Sequence, residues 1–524
     1  MYLKSSFYRY DTANGFVDES TATISRRAFP VITSAKTDPL LEAQILVESG
    51  LGSSDTVSRL LKRTQRIHRT EPQVGSQRNT GEWLGSSPFA VTATGLERSL
   101  HAGSALPAHP RIRRMFSWIY DQPIMFVAGV ILVAVQFAAA LPWLWAIDPK
   151  NFERATRSPA TIGSVVVGIL LGGATLATFM SYEGDSAQLQ HYGQYFYGAG
   201  LHLQLLIDLF LILPQLLILV WPKGGAVALA AYREGWRQPM FWLIIVFAIG
   251  LTWFSVCIPY FTFGDDYKMM KQIGFDVVML AAGLFGVLGA SMSISEEIEG
   301  RTAVTLMSKP VNRRQFLIGK FIGILMACLA MSLVIGWNLN FALRVMPEFD
   351  KINAVQDPMS QQTEKVFLPV FDSAVPSSAG KIMAHGAGLW FADTFAHSLG
   401  IALGFGQVMI LVAIASALAT RIPFVVNLVL CLVIYFLGHL APVIVKVTEG
   451  GGAGMGLVGF LGKLFDVLLP ALEFFNMGPA IIRESPLDLW SFAWYVATVF
   501  GYAIIYTMIA LLVGLILFED RDLA

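Results

Sequence analysis

Nine long apolar segments, almost free of charge, constrain the fold of this chain more than any other feature of its sequence. Each holds about twenty apolar residues, the length at which a helix crosses roughly 30 Å of hydrocarbon. Only 14% of the 524 residues are charged, whereas an average soluble protein has about 25%. The segments lack the apolar and polar alternation of barrel strands, and open sheet edges are not satisfied in lipid. The sequence therefore predicts an all-α polytopic membrane protein.

The predicted spans and the polar stretches divide the chain into three regions. Residues 1–112 are rich in Ser, Thr, Gly and Arg without a lasting apolar period, which predicts a disordered tail. Residues 113–223 form a predicted accessory transmembrane region with spans at residues 124–147, 162–180 and 201–221. Residues 224–524 hold six further spans, at residues 240–261, 275–293, 316–343, 397–419, 422–445 and 489–518. Within this last region, the polar stretch at residues 346–388 is predicted to be a long loop.

The charge balance and the cysteines exclude several kinds of partner and site. Lys and Arg together number 37, as do Asp and Glu, so the chain has no net field that would attract nucleic acid. The three cysteines lie far apart inside apolar segments, at Cys257, Cys328 and Cys431. They fit packing positions rather than a disulfide framework or a CxxC motif. We expect no nucleic-acid partner, no metal and no cofactor.

Residues 224–239, between the third and fourth spans, have the pattern of a helix that lies flat in the membrane interface. On a helix, Leu229, Tyr232 and Trp236 share one face, and Arg233 lies at its boundary. Three polar residues point away from that face: Glu234, Arg237 and Gln238. Apolar residues on one face and basic groups that reach the headgroups are typical of interfacial helices. The alternative is an ordinary polar loop.

The densest charge in the second half of the chain lies at residues 296–320, between two spans. Helix connections commonly take about 2 to 8 residues, so this stretch is longer than a simple turn needs. The preceding span is predicted to continue beyond the membrane through Glu296, Glu297 and Glu299. Residues 302–307 are predicted to form one or two helical turns. Pro310 ends these turns. The basic residues Arg313, Arg314 and Lys320 then mark the start of the next span, on the predicted cytoplasmic side.

This stretch resembles the signature of ABC-2 type transporter permeases, the membrane subunits of ABC exporters. The resemblance rests on Glu297-x-Glu299-x-Arg301-Thr302, followed by Leu306, Pro310, Arg313, Phe316 and Lys320. In addition, residues 224–239 resemble the cytoplasmic elbow helix of that family, and residues 468–480 are similar to the segment before its last span. The resemblance covers about residues 224–524, which makes this region a six-helix permease core.

The resemblance implies how the chain works and with which partners. In this family a separate ABC ATPase subunit dimerises on ATP, and a short coupling helix rides on it and passes its motion to the membrane helices. A second permease subunit completes a homodimer or a heterodimer in the cell (inner) membrane, with the coupling region in the cytoplasm. The implied ATPase-coupling residues are Glu296, Glu297, Glu299, Gly300, Arg301, Thr302, Leu306, Pro310, Arg313 and Lys320; those of the elbow helix are Leu229, Tyr232, Arg233, Trp236 and Arg237.

The chain does not carry the ATP chemistry itself. The phosphate-binding motif GxxxxGK[ST] is absent, because Gly319–Lys320 and Gly462–Lys463 lack both the upstream glycine and the following hydroxyl. We therefore expect no catalytic residue and a role as the permease of an exporter whose substrate the sequence does not identify. The alternative is a non-transporting membrane scaffold that passes force or a signal from an ABC ATPase. A membrane-embedded enzyme is third, since no span holds a clustered catalytic set.

Three polar side chains in or near spans leave alternatives open. Asp208 lies in the middle of a span, where a carboxylate is costly. It is either a proton or substrate site or a carboxyl that is hydrogen-bonded to a neighbouring helix. Asp393 and His397 are four residues apart at the start of a span, which allows a metal site but supplies only two ligands on one face.

The orientation of the first span is a further open point. Three spans before a cytoplasmic elbow place the N-terminal tail outside, although Arg111, Arg113 and Arg114 favour the cytoplasm. Either residues 124–147 re-enter near Pro142 without crossing, or the tail is exported, or translation starts at Met115.

Overall fold

The computed structural model describes residues 117–258, 266–299, 312–349, 358–449, 456–481 and 487–519. These ranges contain helices and no β-strand, and nine of their helices are long and apolar enough to cross a membrane. The prediction of an all-α polytopic membrane protein is therefore confirmed. The predicted disordered tail lies outside the described residues.

The described residues form fourteen helices longer than one turn. In the accessory region these are α1 Ile124–Ile147, α2 Pro149–Arg157, α3 Pro159–Glu183, α4 Ser186–Tyr192 and α5 Ala199–Val220. A π-helical stretch, Gly193–Gly198, joins α4 to α5. The rest of the chain forms α6 Pro222–Arg237, α7 Pro239–Cys257, α8 Asp266–Glu299, α9 Arg313–Phe349, α10 Pro358–Ala374, α11 Ser378–Leu418, α12 Phe424–Glu449, α13 Gly456–Leu468 and α14 Leu489–Glu519.

Proline and glycine set several of these helix boundaries. Pro159 and Pro239 are the first residues of α3 and α7, a position where the missing N–H costs nothing. Helix α3 ends at Gly184, whose φ of 60° is left-handed, as is common at helix C-termini. Pro142, by contrast, lies inside α1, which continues through it over 24 residues. Helix α1 is therefore continuous and lacks the turn at Pro142 that re-entry there would need.

Helices α8, α9 and α11 form the centre of the core. Between 67% and 83% of the residues in their apolar windows are buried, against 39% or less for the other spans. Glycines allow α8 and α11 to cross closely: a methyl group at Gly286 of α8 would collide with Val412, and one at Gly404 of α11 with Met279. Close crossings through small residues are the usual way to pack helices in lipid.

The predicted long loop at residues 346–388 is wrong for most of its length. Helix α9 runs to Phe349, α10 is Pro358–Ala374, and α11 begins at Ser378. Helix α10 lies along α11, and the Thr363 hydroxyl donates to the Ala392 carbonyl at 2.8 Å. The polar composition of α10 conceals it from a search for membrane spans, because its partner is another helix rather than lipid.

The accessory region packs against the first half of α11. A shared cluster of buried residues joins α1, α3, α4 and α5 to this half of α11. The backbones also approach closely, because a methyl group at Gly193 would collide with the Met383 carbonyl and one at Gly386 with the Gln190 carbonyl. Residues 117–223 are therefore packed onto the core by direct backbone contact.

Candidate functional site

Lys320, near the start of α9, is the centre of a charged cluster. Its residue is only 4% exposed. The ammonium lies 2.6 Å from Glu297 Oε1 and 3.1 Å from Glu234 Oε2, and it donates to Ser293 Oγ at 2.7 Å. The Ser293 hydroxyl in turn donates to Glu234 Oε2 at 3.2 Å. We call these four residues the Lys320 cluster.

The Lys320 cluster connects three helices. Glu297 and Ser293 belong to α8, Lys320 to α9 and Glu234 to α6. A buried ammonium needs paired charges and hydrogen bonds to offset its lost hydration. Two carboxylates and one hydroxyl meet this need from two directions. The sequence pattern predicts Glu234 on the side of α6 away from Leu229, Tyr232 and Trp236; in the structure its side chain is 44% exposed and its carboxylate reaches Lys320.

Arg313, the first residue of α9, fixes that helix to the end of α14. Its Nη1 donates to the carbonyls of Phe518 and Glu519 at 2.8 and 2.7 Å. The guanidinium also lies 5.6 Å from the centre of the Phe518 ring. A cation at a helix C-terminus satisfies unpaired carbonyls and the negative end of the helix dipole. The start of α9 is thus joined to α14 as well as to α6 and α8.

Helix α6 covers the predicted elbow stretch, and its packing face consists of small residues. The buried positions on it include Gly224, Ala228, Ala231 and Gly235. Gly319 and Gly323 of α9 face them so closely that a methyl group at Gly323 would collide with the Ala228 carbonyl. The face with Leu229, Tyr232 and Trp236 is not the packing face: Trp236 is 43% exposed, and the other two are half-buried. The Tyr232 hydroxyl donates to the Phe210 carbonyl at 3.4 Å.

The predicted coupling residues fall into three groups. The structure joins Glu297 and Lys320 directly and places Arg313 on the same end of α9. Glu296 is exposed, and Glu299 is the last residue of α8. The remaining ones lie outside the described residues: Gly300, Arg301, Thr302, Leu306 and Pro310. The predicted elbow residues Arg233 and Arg237 are both exposed on α6.

A second polar cluster lies near the other end of α9. Arg344 Nε donates to Asp393 Oδ2 of α11 at 2.7 Å. With its amide oxygen turned toward Arg344, Gln194 of the π-helical stretch accepts from Nε and Nη2, each at 2.7 Å. His397 Nδ1 lies 2.5 Å from Asn340 Oδ1. Asp393 thus contacts an arginine, and His397 contacts an amide. Through its contact with Gln194, Arg344 connects the accessory region to the core.

Glu364 of α10 belongs to the surroundings of this second cluster. Burial raises the pKa of its carboxyl, and the carboxylate of Asp393 raises it further. Arg344 and His385 act in the opposite direction.

We expect measurable coupling between Arg344 and Asp393. Arg344→Gln and Asp393→Asn are expected to cost about 1 kcal/mol or more each, and the double variant less than the sum, because the interaction is lost only once. Apparent melting temperatures of the four proteins in detergent measure this. Additive losses would contradict a direct pair.

Asp208 is buried in α5, at 7% exposure. It forms a hydrogen bond with the backbone of Trp143 in α1, and Oδ1 has no partner among the described residues. One carboxylate oxygen is thus used for packing between two accessory helices, which supports the interpretation of Asp208 as a residue hydrogen-bonded to a neighbouring helix.

The comparisons with known proteins agree with this architecture. A family model described as "ABC-2 family transporter protein" matches residues 145–523, which is more than half of the chain. The chain belongs to the ABC-2 transporter family. The match begins at the end of α1, so α3 and α5 lie inside the family region, which is longer than the residues 224–524 that the sequence motifs suggest. No curated protein matches the chain. Membership makes the protein an ABC transporter permease with several membrane spans, and the Lys320 cluster lies within the matched region.

Proposed function

We propose that this ABC-2 permease couples ATP hydrolysis on a separate ABC ATPase subunit to export of a substrate across the cell (inner) membrane. In this proposal, residues 296–320 form the cytoplasmic coupling region and α6 is the elbow helix. The core is completed by a second permease subunit, either identical or different. The catalytic groups are on the ATPase, in keeping with the lack of a GxxxxGK[ST] motif in this chain.

The observation that carries the proposal is the Lys320 cluster. The cluster lies where α8 leads into residues 300–311 and where α9 begins after them. An ion pair between the end of one helix and the start of the next holds both sides of the coupling region at a fixed separation. A displacement of that region by an ATPase then moves α8 and α9 together, as rigid helices, rather than bending the connection. Glu234 extends the same restraint to α6.

The test is the loss of ATP-driven motion when the coupling carboxylates are removed. We expect Glu297→Ala combined with Glu299→Ala to leave the permease folded and bound to its ATPase but to reduce ATP-driven motion several-fold. The motion is measured with a nitroxide on Cys257, the exposed cysteine at the end of α7. Its electron paramagnetic resonance spectrum is compared with and without ATP in the purified complex in lipid nanodiscs.

The matched control removes two carboxylates of the accessory region, by Glu153→Ala combined with Glu183→Ala. We expect the control to keep the ATP-driven spectral change of the parent. If the coupling variant keeps the ATPase and also responds to ATP like the parent, the coupling assignment is wrong. Transport is tested by adding ATP and cell extract to the outside of inverted vesicles, where the cytoplasmic face is exposed, and identifying solutes that accumulate inside only with ATP. An ATP-driven change without any such solute would favour the scaffold alternative.

A further inference from the structure

A groove of about 640 Å³ opens beside the exposed side of α6. Its lining residues are Ala230, Arg233, Glu234, Arg237, Gln238 and Pro239. We call it the elbow groove. The proposed coupling function uses only Glu234 among these residues, and it leaves the two arginines without a role.

The charges around the elbow groove favour an anion. Arg233 and Arg237 are four residues apart on one helix, so their side chains are neighbours on its surface. Glu234 adds one carboxylate, whose Oε2 lies 3.1 Å from the Lys320 ammonium and 3.2 Å from the Ser293 hydroxyl, and the two guanidinium groups outnumber it. The net charge presented by the groove is therefore positive.

A helix N-terminus adds to this positive field. Gln238 is the N-cap of α7, and Pro239 is its first residue. The Gln238 side chain forms no capping hydrogen bond. Pro239 has no N–H, and the Phe241 N–H donates to the Gln238 carbonyl at 3.1 Å, so what α7 contributes is the positive end of its dipole. Two guanidinium groups near the positive end of a helix dipole form a suitable site for a phosphate group.

The surface beyond the groove indicates that the phosphate belongs to a lipid. From Pro239 an exposed apolar stripe continues along α7, at Leu243, Val246, Phe247, Gly250 and Phe254. These positions follow helical spacing, so they lie on one face. Trp236 and Trp242 are 43% and 51% exposed, and the Trp242 indole donates to the Trp236 carbonyl at 3.0 Å; exposed tryptophans are typical of the membrane interface. A headgroup in the groove would thus place its acyl chains on this stripe.

We infer that the elbow groove binds the phosphate headgroup of an anionic phospholipid, with Arg233 and Arg237 as its ligands and the α7 stripe as the surface for its acyl chains. The inference requires only that α6 lies at the membrane interface. It is independent of whether residues 296–320 engage an ATPase.

The test is lipid binding to the full-length protein in detergent, measured by native mass spectrometry during titration with phosphatidylglycerol, phosphatidylcholine or inorganic phosphate. For Arg233→Gln combined with Arg237→Gln, we expect the affinity for the first phosphatidylglycerol to fall about thirtyfold, because each basic residue at a membrane surface contributes roughly a fivefold factor. Arg154→Gln combined with Arg157→Gln removes two exposed arginines from α2 as a matched control, and we expect a change of less than about twofold.

Several results would overturn the inference. An equal loss in both double variants would show general electrostatic attraction rather than a site. Competition by millimolar inorganic phosphate would show that the acyl chains contribute nothing, and the ligand would then be a free phosphate. If the groove variant does not fold, the parent alone decides: it must bind the first phosphatidylglycerol at least about tenfold more tightly than phosphatidylcholine, and equal affinities refute the site.

Discussion

Lys320→Met is expected to destabilise the protein strongly and to uncouple it from its ATPase. The substitution keeps most of the side-chain volume but removes the cation between Glu297 and Glu234, which then repel each other. Breaking a buried ion pair on one side costs about 3–5 kcal/mol. Because the side chains of Glu297 and Glu234 are 25% and 44% exposed, water offsets part of this cost, and we expect about 2–3 kcal/mol. The apparent melting temperature in detergent and ATP-driven motion of the Cys257 label measure the two effects.

Two further variants separate the loss of the ion pair from a general effect of losing a lysine. Lys381→Met removes an exposed lysine at the start of α11 and is expected to leave both measurements near those of the parent. Adding Glu297→Gln to Lys320→Met removes the nearest uncompensated carboxylate and is expected to restore part of the stability. Equal melting temperatures for Lys320→Met and Lys381→Met would contradict the structural role of the Lys320 cluster.

Gly323→Ala is expected to separate the elbow helix from α9. The added methyl group would collide with the Ala228 carbonyl and would lie 2.7 Å from the Ala231 Cβ. Overpacking a close contact usually costs about 1–3 kcal/mol, and we expect the upper part of this range because the obstructing atom is backbone. The displacement of α6 would also move Glu234 away from Lys320.

The matched control is the same substitution at a glycine that lies in open space. Gly250 of α7 has no neighbouring atom within 4 Å of an added Cβ. We expect Gly250→Ala to be neutral or slightly stabilising, because alanine is the better helix former. The melting temperatures of both variants in detergent give the comparison. Two results together would rule out the proposed α6–α9 contact. Gly323→Ala would have the melting temperature of the parent, and Glu234→Ala would lower the melting temperature equally in the parent and in Gly323→Ala.

The sequence predicts the nine spans well, because the thickness of the bilayer requires a long apolar stretch for each span. Such stretches are recognised without knowing how the helices pack. It predicts α10 and the first part of α11 poorly, since Ser378–Leu418 is longer than a membrane requires and its early turns pack against protein. The charged motif locates Glu297 and Lys320, and it also identifies the family. The sequence does not show that Glu234 belongs to this cluster, because Glu234 comes 59 residues before Ser293 in the chain. The orientation of α6 is set by glycine contacts with α9.

Helix α9 carries Lys320 near one end and Arg344 near the other, and each is paired with a different part of the protein. The two residues are separated by about 36 Å along the axis. A tilt of about five degrees around one end would displace the other by about 3 Å, which is enough to break a hydrogen bond. Helix α9 is therefore held by polar contacts at both ends. A small tilt that keeps the contacts of Lys320 breaks the hydrogen bond between Arg344 and Asp393. The distance between Arg344 and Asp393 therefore reports movement of α9 around Lys320.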